Sequence, residues 1–172
     1  MTEMTIDDAL QRFLDKQRKR LAPRTMANYE YVIELLRDCL NGYAYQSLSG
    51  FEKKRWEKAF NDGDEEAFCK LFGPDKIVEN YGEFLGYFMI RKVMAGQELL
   101  KASGTVTKKL AKWLGEQKPG ALPKSPLGSA IGYASNNWGA LKRYLDQGFL
   151  ALDNNLSERT LRAIALAATP GA

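Results

Sequence analysis

The chain has 172 residues, enough for one ordinary domain or two small ones, and 45% apolar content with 11% aromatic is enough to build a buried core. It contains no histidine, which excludes Ser-His and Cys-His nucleophile pairs, imidazole acid-base catalysis and most zinc sites. The net charge of +4 divides into 20 basic and 18 acidic side chains in residues 1–118 and 5 and 3 in residues 119–172, so nucleic-acid binding has to come from local basic patches.

Cys39 and Cys69 are far apart and form no CxxC unit, which points to reduced thiols. The opening MTEMTIDDALQRF carries acidic residues where a secretory signal needs an apolar run. No stretch reaches the roughly 18–20 apolar residues of a membrane span. The expected location is therefore the cytoplasm, with no membrane partner.

Thr5 is a helix N-cap with Asp8 three residues on, and Ile6, Ala9, Leu10, Phe13 and Leu14 fall on one face at helical spacing. The helix ends in the run Lys16, Gln17, Arg18, Lys19, Arg20, whose charge favours a helix C-terminus and would also suit phosphate. Pro23 opens a second helix with an apolar stripe at Met26, Tyr29, Ile33, Leu36 and Leu40, expected to stop at Asn41 and Gly42. Ser49 and Glu52 form a capping box for a third helix containing Phe51, Trp56 and Phe60.

After a break at residues 61–64, a short helix over residues 65–72 closes at Gly73 and Pro74. Residues 75–102 read as helical despite Gly82, Gly86 and Gly96, each costing about 1 kcal/mol against alanine. Within it, residues 84–90 form a buried helical stretch. Gly82 and Gly86 either admit a close neighbouring helix or mark a break. After Ser103 and Gly104, a helix places Val106, Leu110, Trp113 and Leu114 inward and Lys108, Lys109 and Lys112 elsewhere. No strand pattern or repeat occurs in residues 1–117, and that region is expected to be an all-α bundle.

Residues 115–124 hold two prolines and two glycines and mark a linker or joint. The expected domains are 1–117 and 118–172. Beyond the joint, Leu127, Ile131, Ala134, Trp138, Leu141 and Leu145 make a heptad-like seam. It needs a partner: the N-terminal bundle, a second copy of the chain, or none. An exposed seam carrying Trp138 is unfavourable, so homo-oligomerisation through this face is one expectation. Asn155 followed by Glu158 has capping-box spacing, with Asp153 as an alternative cap.

Two family patterns are present. SPLG at residues 125–128, GYA followed by Trp138, and DNNLSERTLR at residues 153–162 resemble, in order and spacing, the end of the catalytic domain of insertion-sequence 66 transposases. The resemblance implies an all-α arrangement here of N-terminal bundle plus a C-terminal helix-link-helix fragment of an RNase H-like domain. It places the catalytic glutamate at Glu158, as a vestige, and sets Arg159 and Arg162 toward phosphate. An intact member holds Mg²⁺ on two aspartates and this glutamate. The two aspartates should lie upstream, where this chain has a helical region, so the expectation is no metal, no cofactor and no enzymatic activity. The pattern departs after Arg162, where AIALAATPGA stands.

TIDDALQRFLDKQRKRLAPRTMANYEYVIELL with the later GTVTKKLAKWL resembles the core-binding, SAM-like helical domain of tyrosine recombinases. That resemblance implies a DNA clamp in which Arg18, Lys19, Arg20, Arg24, Lys108, Lys109 and Lys112 meet phosphates. The reading from sequence is thus a truncated or hybrid transposase-related protein of a mobile element, DNA-binding and catalytically incompetent. The alternative is an all-helical oligomerising or interaction protein without DNA-binding activity.

Overall fold

The computed structural model describes residues 4–117, all helices and connections, with no strand among the described residues. The second expected domain, residues 118–172, with its helix-link-helix arrangement, lies outside the described residues. In chain order the elements are α1 (Ile6–Arg18), α2 (Pro23–Tyr43), a 3₁₀ turn (Ala44–Ser47), α3 (Gly50–Asn61), α4 (Ala67–Leu71), α5 (Asp75–Glu79), α6 (Tyr81–Glu83), a π-helix (Phe84–Lys92) and α7 (Gln97–Gln117).

The bundle starts on a complete capping box. The Asp8 amide donates to the Thr5 hydroxyl at 3.1 Å and the Thr5 amide donates to the Asp8 carboxylate at 3.2 Å, so two amides left free by helix geometry are satisfied. Ile6 N–H donates to the carbonyl of Phe72 at 2.9 Å, tying the start of α1 to the end of α4. The apolar stripe of α1 is buried as its spacing predicts, and Phe13, fully buried, is the joint of three helices. Its ring lies 6.2 Å from Tyr29 of α2 and 5.8 Å from Trp113 of α7.

α2 runs past its expected stop. Asn41 and Gly42 lie inside the helix, which ends at Tyr43. The Asn41 side-chain carbonyl accepts the backbone N–H of Cys69 at 3.0 Å, so the residue anchors α4 instead of capping α2. Cys39 and Cys69 are both free and buried, and burial pushes the Cys39 thiol up to about 12.

α3 starts where expected. The Glu52 carboxylate accepts from the Ser49 amide at 3.0 Å and from its hydroxyl at 2.7 Å. These bonds, helped by Lys76, hold the Glu52 carboxyl below its ordinary range. A carboxyl lowered in the folded state adds stability above its unfolded value, and that stability is lost as pH falls through the folded one. Wild type should therefore exceed Glu52→Gln in urea stability at neutral pH, and the gap should close as the pH drops below about 4.3. A gap that widens in acid would contradict this.

The continuous helix expected over residues 75–102 is divided into α5, α6, the π-helix and the first turns of α7. Glycines do not make the division by close packing: a Cβ at Gly82 or Gly86 would meet nothing within 4 Å. The π-helix buries Phe84, Leu85, Phe88 and Met89, and its outer Lys92 sits over the rings of Tyr43 and Tyr87, 5.7 Å from each centroid. It closes with Ala95 N–H donating to the Met89 carbonyl at 2.9 Å across Met94, whose φ is +51°. Left-handed closures of this kind usually recruit glycine. Because Met94 is 81% exposed, Met94→Gly removes the backbone strain without losing packing and should raise stability by roughly 0.5–1 kcal/mol.

α7 begins at Gln97, seven residues before Gly104, which is buried in mid-helix. Ser103, Gly104 and Thr107 form a small-residue patch on its inner face, and the buried Tyr81 hydroxyl donates to the Thr107 carbonyl at 3.2 Å. Leu100, Val106, Leu110, Trp113 and Leu114 complete that face.

Candidate nucleic-acid interface

The burial of one face of α7 fixes what the opposite face presents. From Leu99 to Gly115 the sequence contains no acidic residue and four lysines. Lys101, Lys108 and Lys112 recur at seven- and four-residue steps and share one helix face, with Lys109 beside them. All four are exposed. Lys109 reaches across to α2, its ammonium 5.4 Å from the Tyr29 ring centroid. Lys101 is absent from the sequence-based set because that reading started the helix after Gly104. With α7 running from Gln97, Lys101 falls into register with the others.

Two contacts place the C-terminal half of α7 beside the end of α1. Trp113 meets Phe13, and the Lys16 ammonium lies 3.4 Å from the Glu116 carboxylate. The turn after α1 thus lies at the same end of the bundle as Lys108, Lys109 and Lys112. Exposed Lys19, Arg20 and Arg24 lie on this turn and the first turn of α2.

Arg18 is engaged differently from the others. Its guanidinium donates to Asp15 and to Glu30, each at 2.8 Å. The Glu30 hydrogen bond raises its already high pKa, with Asp15 adding to the effect. A phosphate at Arg18 would compete with two carboxylates, whereas Lys19, Arg20 and Arg24 form no salt bridge among the described residues. Glu158, Arg159, Arg162 and the seam residues from Leu127 to Leu145 lie outside the described residues.

Among the described residues, no three carboxylate or thiol side chains gather as a metal site would require. No described helix is long and apolar enough to cross a membrane.

The described part of the chain is thus a helical bundle with a basic end, built around a helix that is apolar inside and lysine-rich outside. Residues 94–168 match the family model described as Transposase IS66 family. The match takes in all of α7 and the whole of the SPLG-to-DNNLSERTLR pattern, less than half of the chain. That portion is transposase-related in sequence. GTVTKKLAKWL, one of the two phrases carrying the recombinase resemblance, falls inside this match, and the comparisons lend the recombinase resemblance no support. Comparison with curated proteins and with solved structures finds no match.

Proposed function

We propose that this transposase-related mobile-element protein grips duplex DNA through the outer face of α7 and the α1–α2 turn, and that the chain alone does not cut it. The observation that carries the reading is the acid-free run over residues 99–115, whose lysines are held outward by the packing of the opposite face. Helix α7 has a fixed axis, so its ammonium groups form a preset row rather than a mobile tail, and a row of cations along a rigid helix suits the regular phosphate spacing of a duplex.

Binding of this kind releases counterions. Log affinity for a labelled duplex should fall linearly with log salt, with a slope of about −0.9 per phosphate contacted. Affinity that is undetectable at low salt, or independent of salt, would reject the proposal.

The absence of cutting is proposed because one glutamate cannot position two metals. Incubation of the purified chain with labelled DNA and Mg²⁺ or Mn²⁺ should leave the strands intact. Cleavage or strand transfer abolished by Glu158→Gln would overturn this half of the proposal while leaving the binding half in place.

A further inference from the structure

We infer that α3 carries a second nucleic-acid site, one for single-stranded rather than duplex polymer. It rests on the DNA-binding reading above for the choice of polyanion, but on different residues. Phe51, Lys54, Arg55 and Lys58 follow the i, i+3, i+4, i+7 spacing of one helix face, and all are exposed. Phe51 is 82% exposed, and the three cations beside it form no salt bridge among the described residues.

Farther round α3, past Glu57 and Asn61, three rings are stacked on the side away from Phe51. Trp56 lies parallel to Tyr45 at 4.7 Å and 5°, and Phe60 covers Trp56 at 5.0 Å and 26°. Phe60, half exposed, has one ring face on Trp56 and its other face uncovered by the stack. These rings line an open cavity of about 480 Å³, and Asn41, Gly42, Glu57 and Asn61 complete its walls. The Trp56 indole N–H is buried without a hydrogen-bond partner. Since the Asn41 carbonyl already accepts from Cys69, its amide N–H groups are what it has to offer a ligand.

A free π face, amide donors, a carboxylate acceptor and, farther round the same helix, a row of cations are the groups that successive nucleotides of an unstacked strand wrapping α3 would engage. A duplex keeps its base faces covered and has no use for the ring stack. A lipid surface would require a continuous apolar face, but the apolar face of α3 at Trp56 and Ala59 is turned into the bundle. The site lies toward the far end of α2 from Lys109, since Lys109 packs on Tyr29 and the cavity begins at Asn41, a rise of about 18 Å along the helix.

The test uses the full chain and fluorescence anisotropy with a labelled oligothymidylate and a labelled duplex. Replacing Lys54, Arg55 and Lys58 together by glutamine should weaken oligothymidylate binding by about a hundredfold at low salt and flatten its salt slope by about 2. Duplex affinity should change by no more than about twofold, because the α7 face is untouched. Phe60→Leu keeps the bulk but removes the ring, and should weaken oligothymidylate binding about tenfold without altering the salt slope.

Unchanged oligothymidylate affinity in both variants overturns the inference. So does equal displacement by polyglutamate, or binding of phosphatidylserine vesicles with no binding of the oligonucleotide. Wild type that binds oligothymidylate through α3 but ignores duplex would sink the α7 proposal and uphold this one. Duplex binding without α3-dependent oligonucleotide binding would do the reverse.

Discussion

Phe13→Ala should cost roughly 3–5 kcal/mol of folding stability, a loss read from urea denaturation monitored by tryptophan fluorescence and circular dichroism. The ring is fully buried and touches both Tyr29 and Trp113, so truncation opens a cavity where α1, α2 and α7 meet. The surrounding helices are pinned by other contacts and cannot collapse into it. Helix α1 is tied to α4 through Ile6 and Phe72, and to α2 through Arg37, whose Nε lies 3.0 Å from an Asp7 carboxylate oxygen. Against a typical domain stability of 5–15 kcal/mol, such a loss leaves a chain folded marginally if at all. Trp113→Ala should be comparably severe, and the double variant should lose less than the two separate losses together because the rings share a contact. A loss under about 1 kcal/mol for Phe13→Ala would mean that α7 is not seated on α1 and α2 as described.

Glutamine at Lys101, Lys108, Lys109 and Lys112 together should weaken duplex binding by at least about a hundredfold near 0.1 M salt and reduce the salt slope by roughly 3 to 4. The side chains are exposed and on the face opposite the core, so stability should change little. That separation makes the variant informative: affinity falls while the denaturation midpoint stays. Lys109 has more than an electrostatic role, because its contact with the Tyr29 ring adds a small cation-π contribution of about 0.5–1 kcal/mol at an exposed site. Arg18→Gln should have a weaker effect on binding than Lys101→Gln or Lys112→Gln, since Asp15 and Glu30 already occupy its donors. An affinity that survives the fourfold replacement would move the interface away from α7.

The features legible in the sequence were those decided by neighbours a few residues apart. The boxes at Thr5–Asp8 and Ser49–Glu52 announce helix starts because the bonds they make are local, and the stripes of α1 and α2 announce buried faces because a helix repeats every 3.6 residues. Long-range contacts hid the rest. Asn41 reads as a stop, yet its side chain is engaged by Cys69, 28 residues away, and α2 continues. The π-helix has no local signature that separates it from an α-helix, because Phe84, Leu85, Phe88 and Met89 are apolar at spacings either helix would bury. Gly104 reads as a boundary but is a buried interior residue of α7, next to the Thr107 carbonyl that Tyr81 reaches.

The same long-range effect governed the basic surface. Lysines at 108, 109 and 112 stood out by charge alone, but Lys101 needed the true start of α7 to join them. Arg18 stood out too, and only its two carboxylate partners, one of them on α2, reveal that its charge is already engaged. The ring stack of Tyr45, Trp56 and Phe60 had a weaker trace in the sequence. Trp56 and Phe60 share a helix, whereas Tyr45 arrives from the 3₁₀ turn after α2.

The most direct test of the account is lysine-acetylation footprinting, resolved by mass spectrometry, on the full chain with and without saturating duplex DNA. Protection concentrated at Lys101, Lys108, Lys109 and Lys112, with the α3 lysines Lys54 and Lys58 modified at their free rate, is the predicted result. Equal modification of the four α7 lysines in the presence and absence of bound duplex would contradict it.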